Sequence, residues 1–275
     1  MAFSAGRFYP GDHKGCQCQA VPVLLYPEGT PQTLTAPTDR YPGHLSLADN
    51  QKWMTDQWGT RIPGYGNRKF DFRNLTTDAA DDMSKELDDL FRKYPRSARG
   101  IRVTGGPEDP RTWDMHAWGV SNQRNGSLRV GRAQNQAAFE NARAGVAEEA
   151  RIKFHPAGNT EWSSVVSHEF GHHVLWQAMS TRDSAVAADQ AIQAVFTKYL
   201  GPKPSLEVFK TGEAVAIEMK SYLSDKALLI QGEISTYALK NTDEMFAEAF
   251  AAVRSGQATT LERELVNAIL PIAEG

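Results

Sequence analysis

Residues 160–178 leave this chain little freedom. Trp162, Val166, Phe170 and Val174 recur every fourth position, so the segment reads as a helix with a buried stripe. Within it runs Val166-Ser-His-Glu-Phe-Gly-His-His-Val174, where His168 and His172, four apart, stand on one face about one turn from each other. Two imidazoles so placed can serve one metal ion. Glu169 is turned toward the open side of such an ion, where a carboxylate can take a proton from water. Gly171 in a helix interior costs about 1 kcal/mol against alanine, which is expected where another element comes close beside the histidines. The alternative is a helix that carries two histidines by accident.

A third ligand separates these readings. An extended HExxHxxGxxH site is excluded, because Leu175 stands where its glycine would be and Ala178 where its last histidine would be. The first glutamate after the motif is Glu207, too distant for the short connection of a thermolysin-like site. Further on lies Tyr237-Ala-Leu-Lys-Asn-Thr-Asp-Glu244-Met-Phe-Ala-Glu248-Ala-Phe250. Glu244 and Glu248 share one face of a helix whose other face carries Met245, Phe246, Ala249, Phe250 and Val253. That is the pattern of a ligand carboxylate with a second acid beside it. Asn241 and Glu244 are equally spaced for a capping box, with Glu248 merely solvated.

Together, HEFGHHV and YALKNTDEMFAEAF resemble the catalytic core of the anthrax lethal factor family, a gluzincin branch of metalloproteases. The family tyrosine precedes the first glutamate of its second motif by seven residues, as Tyr237 precedes Glu244 here. The resemblance spans about residues 120–255 and implies a role for each matching residue. His168, His172 and Glu244 would hold Zn2+, and Glu169 would act as general base. Tyr237 would donate to the developing oxyanion, and Glu248 would orient a ligand histidine. Met245 replaces the usual phenylalanine, and a longer insert between His172 and Glu244 is expected to reshape the substrate groove. The resemblance also implies a sheet edge that receives the substrate as an added strand, with residues 127–131 the candidate edge.

The rest of the chain frames a domain around these motifs. Of 275 residues, 41% are hydrophobic and 23% charged, the balance of a chain that buries a core. Residues 1–75 are rich in Pro and Gly (YPGDHKG, APTDRYPGH, RIPGYGNRKFDF) and are expected to form an irregular N-terminal arm. Residues 76–275 are expected to form one zincin-like metalloprotease domain. A helix capped by Thr77 carries Met83, Leu87, Leu90 and Phe91 at helical spacing and ends before Pro95. The β-prone pieces GIRVTG and SLRVG predict a small sheet, and helices follow near 133–150, 160–178, 182–200, 205–224, 242–255 and 257–270. The expected fold class is α+β: a small mixed sheet, an active-site helix and an α-rich C-terminal half, in a minimal gluzincin-like arrangement.

A net charge of −3 without a Lys/Arg cluster argues against nucleic acid or an anionic membrane as partners. Neither a signal peptide nor a membrane-spanning run is visible, which favours the bacterial cytoplasm or a phage virion. Cys16 and Cys18 form a CxC, read as an exposed thiol pair or, with His13, half of a metal site. Residues 13–23 are similar to the HPxCRCxxxPV end of phage Mu-like head-morphogenesis domains, which implies phage head or bacterial partner proteins. His173 is expected to pack rather than ligate; His116 and His155 are within reach of the groove but are read as exposed loop histidines; Trp53 and Trp58 are expected to anchor packing.

Two functions fit these residues. One is a zinc-dependent endopeptidase that hydrolyses protein or peptide substrates. The other is a virion component whose metalloprotease fold is structural, or is latent beneath the N-terminal arm.

Overall fold

The computed structural model describes residues 35–62, 69–105, 119–122, 126–131, 133–201 and 224–275. His13, Cys16, Cys18, His116, Glu207 and most of the helix expected over 205–224 lie outside them.

The described chain is α+β, as its patterning predicts. Helix α1 (Leu47–Met54) runs into a π-helical turn (Thr55–Gly59), followed by strand β1 (Phe70–Asp71) and helix α2 (Thr77–Lys93). Strands β2 (Arg102–Gly105), β3 (Gly119–Asn122) and β4 (Ser127–Val130) come next. The C-terminal half consists of α3 (Gln136–Arg151), α4 (Ser163–Ala178), α5 (Arg182–Leu200), α6 (224–233), a 3-10 turn (Tyr237–Leu239), α7 (Thr242–Ser255) and α8 (Thr260–Glu274). None of the described helices is long and apolar enough to cross a membrane.

Several helix ends follow their side chains. Thr76, one residue before the expected Thr77, caps α2 by accepting from the amide of Ala79. Gly201 closes α5 at φ +72°, a conformation that favours glycine. Helix α8 extends past the expected end at 270, with Pro271 in its last turns.

The sheet order is β1-β2-β4-β3, parallel except for the antiparallel β3–β4 pair. This corrects the expectation that residues 127–131 form the edge. Strand β4 is flanked on both sides, and among the described residues β3 is the edge on the side of α4. Strand order depends on long-range pairing that no local pattern in SLRVG encodes.

Over its described part, the stretch expected to be irregular is also different. Residues 47–59 are helical, and Met54, Trp58, Ile62, Phe70 and Phe72 are buried in the same core as α2 and α4. Trp58 donates its indole N–H to Asp88 of α2 at 2.9 Å, and Arg92 holds the other oxygen of Asp88 at 2.9 Å. Trp53 meets Tyr41 edge to face. Turn-rich composition hid a short helix whose few large apolar residues pack on the core, Met54 fully and Leu47 and Trp53 in part.

Helix α4 is central. It packs against α7 most extensively, and also against α2, α8, β3 and β4. Every residue from Val165 to Leu175 is buried, so the single stripe visible in the sequence understates its enclosure. Ser167, His168, Glu169, His172 and His173 therefore sit in the interior, where polar groups need partners.

Candidate metal centre

Helices α4 and α7 bring the two motifs together because nothing bulky separates them. A Cβ added to Gly171 would lie 2.9 Å from the Cα of Ala247 and 3.2 Å from the Cβ of Phe250. Only glycine permits that approach. One turn earlier on α7, Glu244 is carried against the histidine face of α4.

There the Glu244 carboxylate presents Oε2 to both imidazoles, 3.2 Å from His168 Nε2 and 3.4 Å from His172 Nε2. These three residues could hold a metal ion, with one ligand atom from each and all three within 4.8 Å of one another. The spacing suits a small tetrahedral ion, whose ligand atoms stand about 3.3 Å apart when its bonds are about 2.0–2.1 Å. Asn241 caps α7 by accepting from the amide of Glu244 at 2.8 Å. The backbone of Glu244 thus serves the cap while its side chain serves the histidines.

Each imidazole has a carboxylate behind it. Glu248, fully buried, lies 2.7 Å from His168 Nδ1 through Oε1 and accepts from the Ser235 hydroxyl at 2.9 Å through Oε2. It is not the solvated acid of the capping alternative. His172 Nδ1 lies 3.1 Å from Asp243 Oδ1 without making a hydrogen bond to it, and the His172 ring stacks on Trp176, whose N–H reaches Asp243 Oδ2 at 3.3 Å.

Charge in this pocket is tightly balanced. Burial opposes ionising Glu244, but hydrogen bonds from both histidines outweigh it and hold its carboxyl well below the usual range. Burial likewise opposes protonating His168, yet Glu244 and Glu248 push its pKa up to about 10. His172 is raised well above its ordinary value against the same burial, by Asp243 and Glu244. The site is built to accommodate positive charge between carboxylates.

Glu169 is placed differently from the other acids. Its carboxylate is buried, its Oε2 has no hydrogen-bond partner, and burial raises its pKa above the ordinary carboxylate value. The sheet edge leaves room for it. A Cβ on Gly119 of β3 would fall 2.5 Å from Glu169 Oε1, and Ser121 of β3 donates to the Glu169 carbonyl at 2.9 Å.

Tyr237 stands on the far side of Glu244. Its hydroxyl donates to Glu244 Oε1 at 3.3 Å, and burial, helped by the charge of Glu244, raises its pKa to about 12. The phenol is therefore a hydrogen-bond donor throughout the neutral range. Its backbone is pinned by the turn after α3: Thr236 and Tyr237 donate to the carbonyls of Lys153 and Phe154 at 3.0 Å each. Lys153 makes that turn at φ +57°.

The same turn corrects the expectation for His155, which is no exposed loop histidine. Its Nδ1 lies 2.8 Å from Glu248 Oε1, its Nε2 is 3.5 Å from Glu149, and its ring is 5.0 Å from that of Tyr237. Burial would lower its pKa, but Glu248 and Glu149 lift it to about 9. Burial also opposes ionising Glu248, yet His155 and His168 hold its carboxyl down at about 2. His173 packs, as expected: it stacks on Phe170, and burial lowers its pKa to about 3.

The structure thus gathers His168, Glu169, His172, Tyr237, Glu244 and Glu248, all named by the sequence. Asp243, His155 and Lys240 are additions. Asp243 adjoins a proposed ligand in sequence, and Lys240 falls one turn before it, so proximity was the available signal; His155, read as a loop histidine within reach of the groove, carried no spacing that tied it to Glu248. No protein-family model, curated protein or solved structure matches the chain.

Proposed function

We propose that this protein is a zinc-dependent endopeptidase. The observation that carries the reading is the convergence of His168 Nε2, His172 Nε2 and Glu244 Oε2, with a carboxylate facing each outer imidazole nitrogen. With each Nδ1 facing an acid, each Nε2 is left to offer its lone pair inward. Two imidazoles and one carboxylate are a zinc donor set that leaves a position for water, and outer carboxylates fix ring orientation. When bound, zinc supplies Lewis acidity to a water and to a carbonyl oxygen.

The remaining chemistry belongs to the chain. Glu169, buried with a free oxygen, accepts a proton from the attacking water as the water oxygen bonds to the peptide carbonyl carbon. It then passes that proton to the departing amine nitrogen as the C–N bond breaks. The Tyr237 hydroxyl turns from Glu244 to donate to the oxygen that gains charge. Strand β3 contacts α4 and is the last strand of the sheet among the described residues, so an extended peptide added along it would run past Glu169.

Glu169→Gln separates chemistry from metal binding. Mass spectrometry of a peptide library incubated with each protein should find cleavage by the zinc-loaded wild type. The variant should bind zinc equally and cleave about 10²–10⁴-fold more slowly. Equal cleavage by the two proteins would refute the assignment of Glu169.

A further inference from the structure

Lys240 occupies a position that none of the roles above requires. It ends the 3-10 turn that carries Tyr237 and lies four residues before Glu244. Its ammonium donates to the Tyr237 hydroxyl at 3.0 Å and to Glu244 Oε1 at 3.0 Å, and it sits 4.8 Å from the centre of the Tyr237 ring. The two oxygens of Glu244 are thereby divided: Oε2 faces the histidines, and Oε1 faces Lys240 and Tyr237.

We infer that Lys240 is a positioning residue that confines Glu244 to one-oxygen ligation and polarises the Tyr237 phenol toward substrate. This rests on the endopeptidase reading. Two physical consequences oppose each other. An ammonium on Oε1 draws charge from the carboxylate and stands near any cation held by Oε2, so it weakens metal binding. The same ammonium, donating to the phenol oxygen, makes the phenolic hydrogen a stronger donor. It also anchors the hydroxyl when the Tyr237 bond to Glu244 is given up for the substrate oxygen. Lys240 therefore exchanges metal affinity for turnover.

Opposite signs distinguish this role from a structural one, since loss of a merely structural residue weakens both properties together. Lys240→Met keeps the apolar stem and removes the charge, and Lys240→Arg restores a donor. Zinc affinity is read by competition with a chromophoric chelator, and turnover by cleavage of the best library peptide. Lys240→Met should bind zinc about 2- to 5-fold more tightly, the scale of one partly exposed ion pair. It should also lose about 10-fold or more in kcat, a fraction of what a direct oxyanion donor supplies. Lys240→Arg should recover part of both. A parallel fall in zinc affinity and kcat, or no change in either, overturns the assignment. If wild type and variants alike bind zinc and cleave nothing, the endopeptidase reading fails; the affinity shift then still decides whether Lys240 restrains Glu244.

Discussion

Glu248 shows how far one buried carboxylate reaches. It accepts from Ser235 and faces both His155 and His168 with no solvent exposure, so its charge is fixed by neighbours rather than water. Glu248→Gln preserves the shape but removes the charge that favours metal on His168. Zinc affinity should fall about 10- to 100-fold, the usual effect of losing such an outer partner, as checked by chelator competition. Unchanged affinity would mean that His168 is oriented by packing alone. At this scale the sequence was informative wherever spacing within one helix sufficed: His168 with His172, and Glu244 with Glu248. It was silent on His155, which reaches Glu248 through a turn set by Lys153 and backbone bonds to residues 236 and 237. No periodicity encodes such a contact.

Between elements, the α4–α7 contact decides whether a site exists at all. Gly171→Ala would gain about 1 kcal/mol of helix propensity. Its methyl would meet the Ala247 backbone at 2.9 Å, and a fixed backbone cannot yield cheaply. Overpacking of this kind costs about 1–3 kcal/mol, so denaturant titration should find the variant less stable by about 1 kcal/mol. Zinc binding should weaken with it, because α7 carries Glu244. A variant as stable as wild type with full affinity would show that the helices can part without loss. Long, periodic helices such as α2, α4, α5 and α7 were legible to within a few residues. Strand β1, helix α1 and the placement of β3 at the sheet edge were not, because short elements draw their stability from the partners that cover them.

For the whole molecule, the described residues 35–62 and 69–75 cannot be treated as an appendage. Met54, Trp58, Ile62, Phe70 and Phe72 complete the core on which α2 and α4 rest. Burying each such side chain contributes about 1.5–3 kcal/mol, together comparable with the ~5–15 kcal/mol that holds a typical domain folded. A chain of residues 76–275 should therefore show no cooperative thermal transition by circular dichroism; a sharp melt like that of the intact chain would restore the boundary at 75. The intact fold exists, on this account, to hold three donor atoms around one ion. Calorimetric titration of the metal-free protein with Zn2+ tests that most directly, with Glu244→Ala alongside. The account predicts one zinc per chain and at least a 100-fold loss of affinity in the variant, on the order of one metal–ligand bond. A folded wild type without zinc affinity, or a variant that binds as tightly, would contradict it.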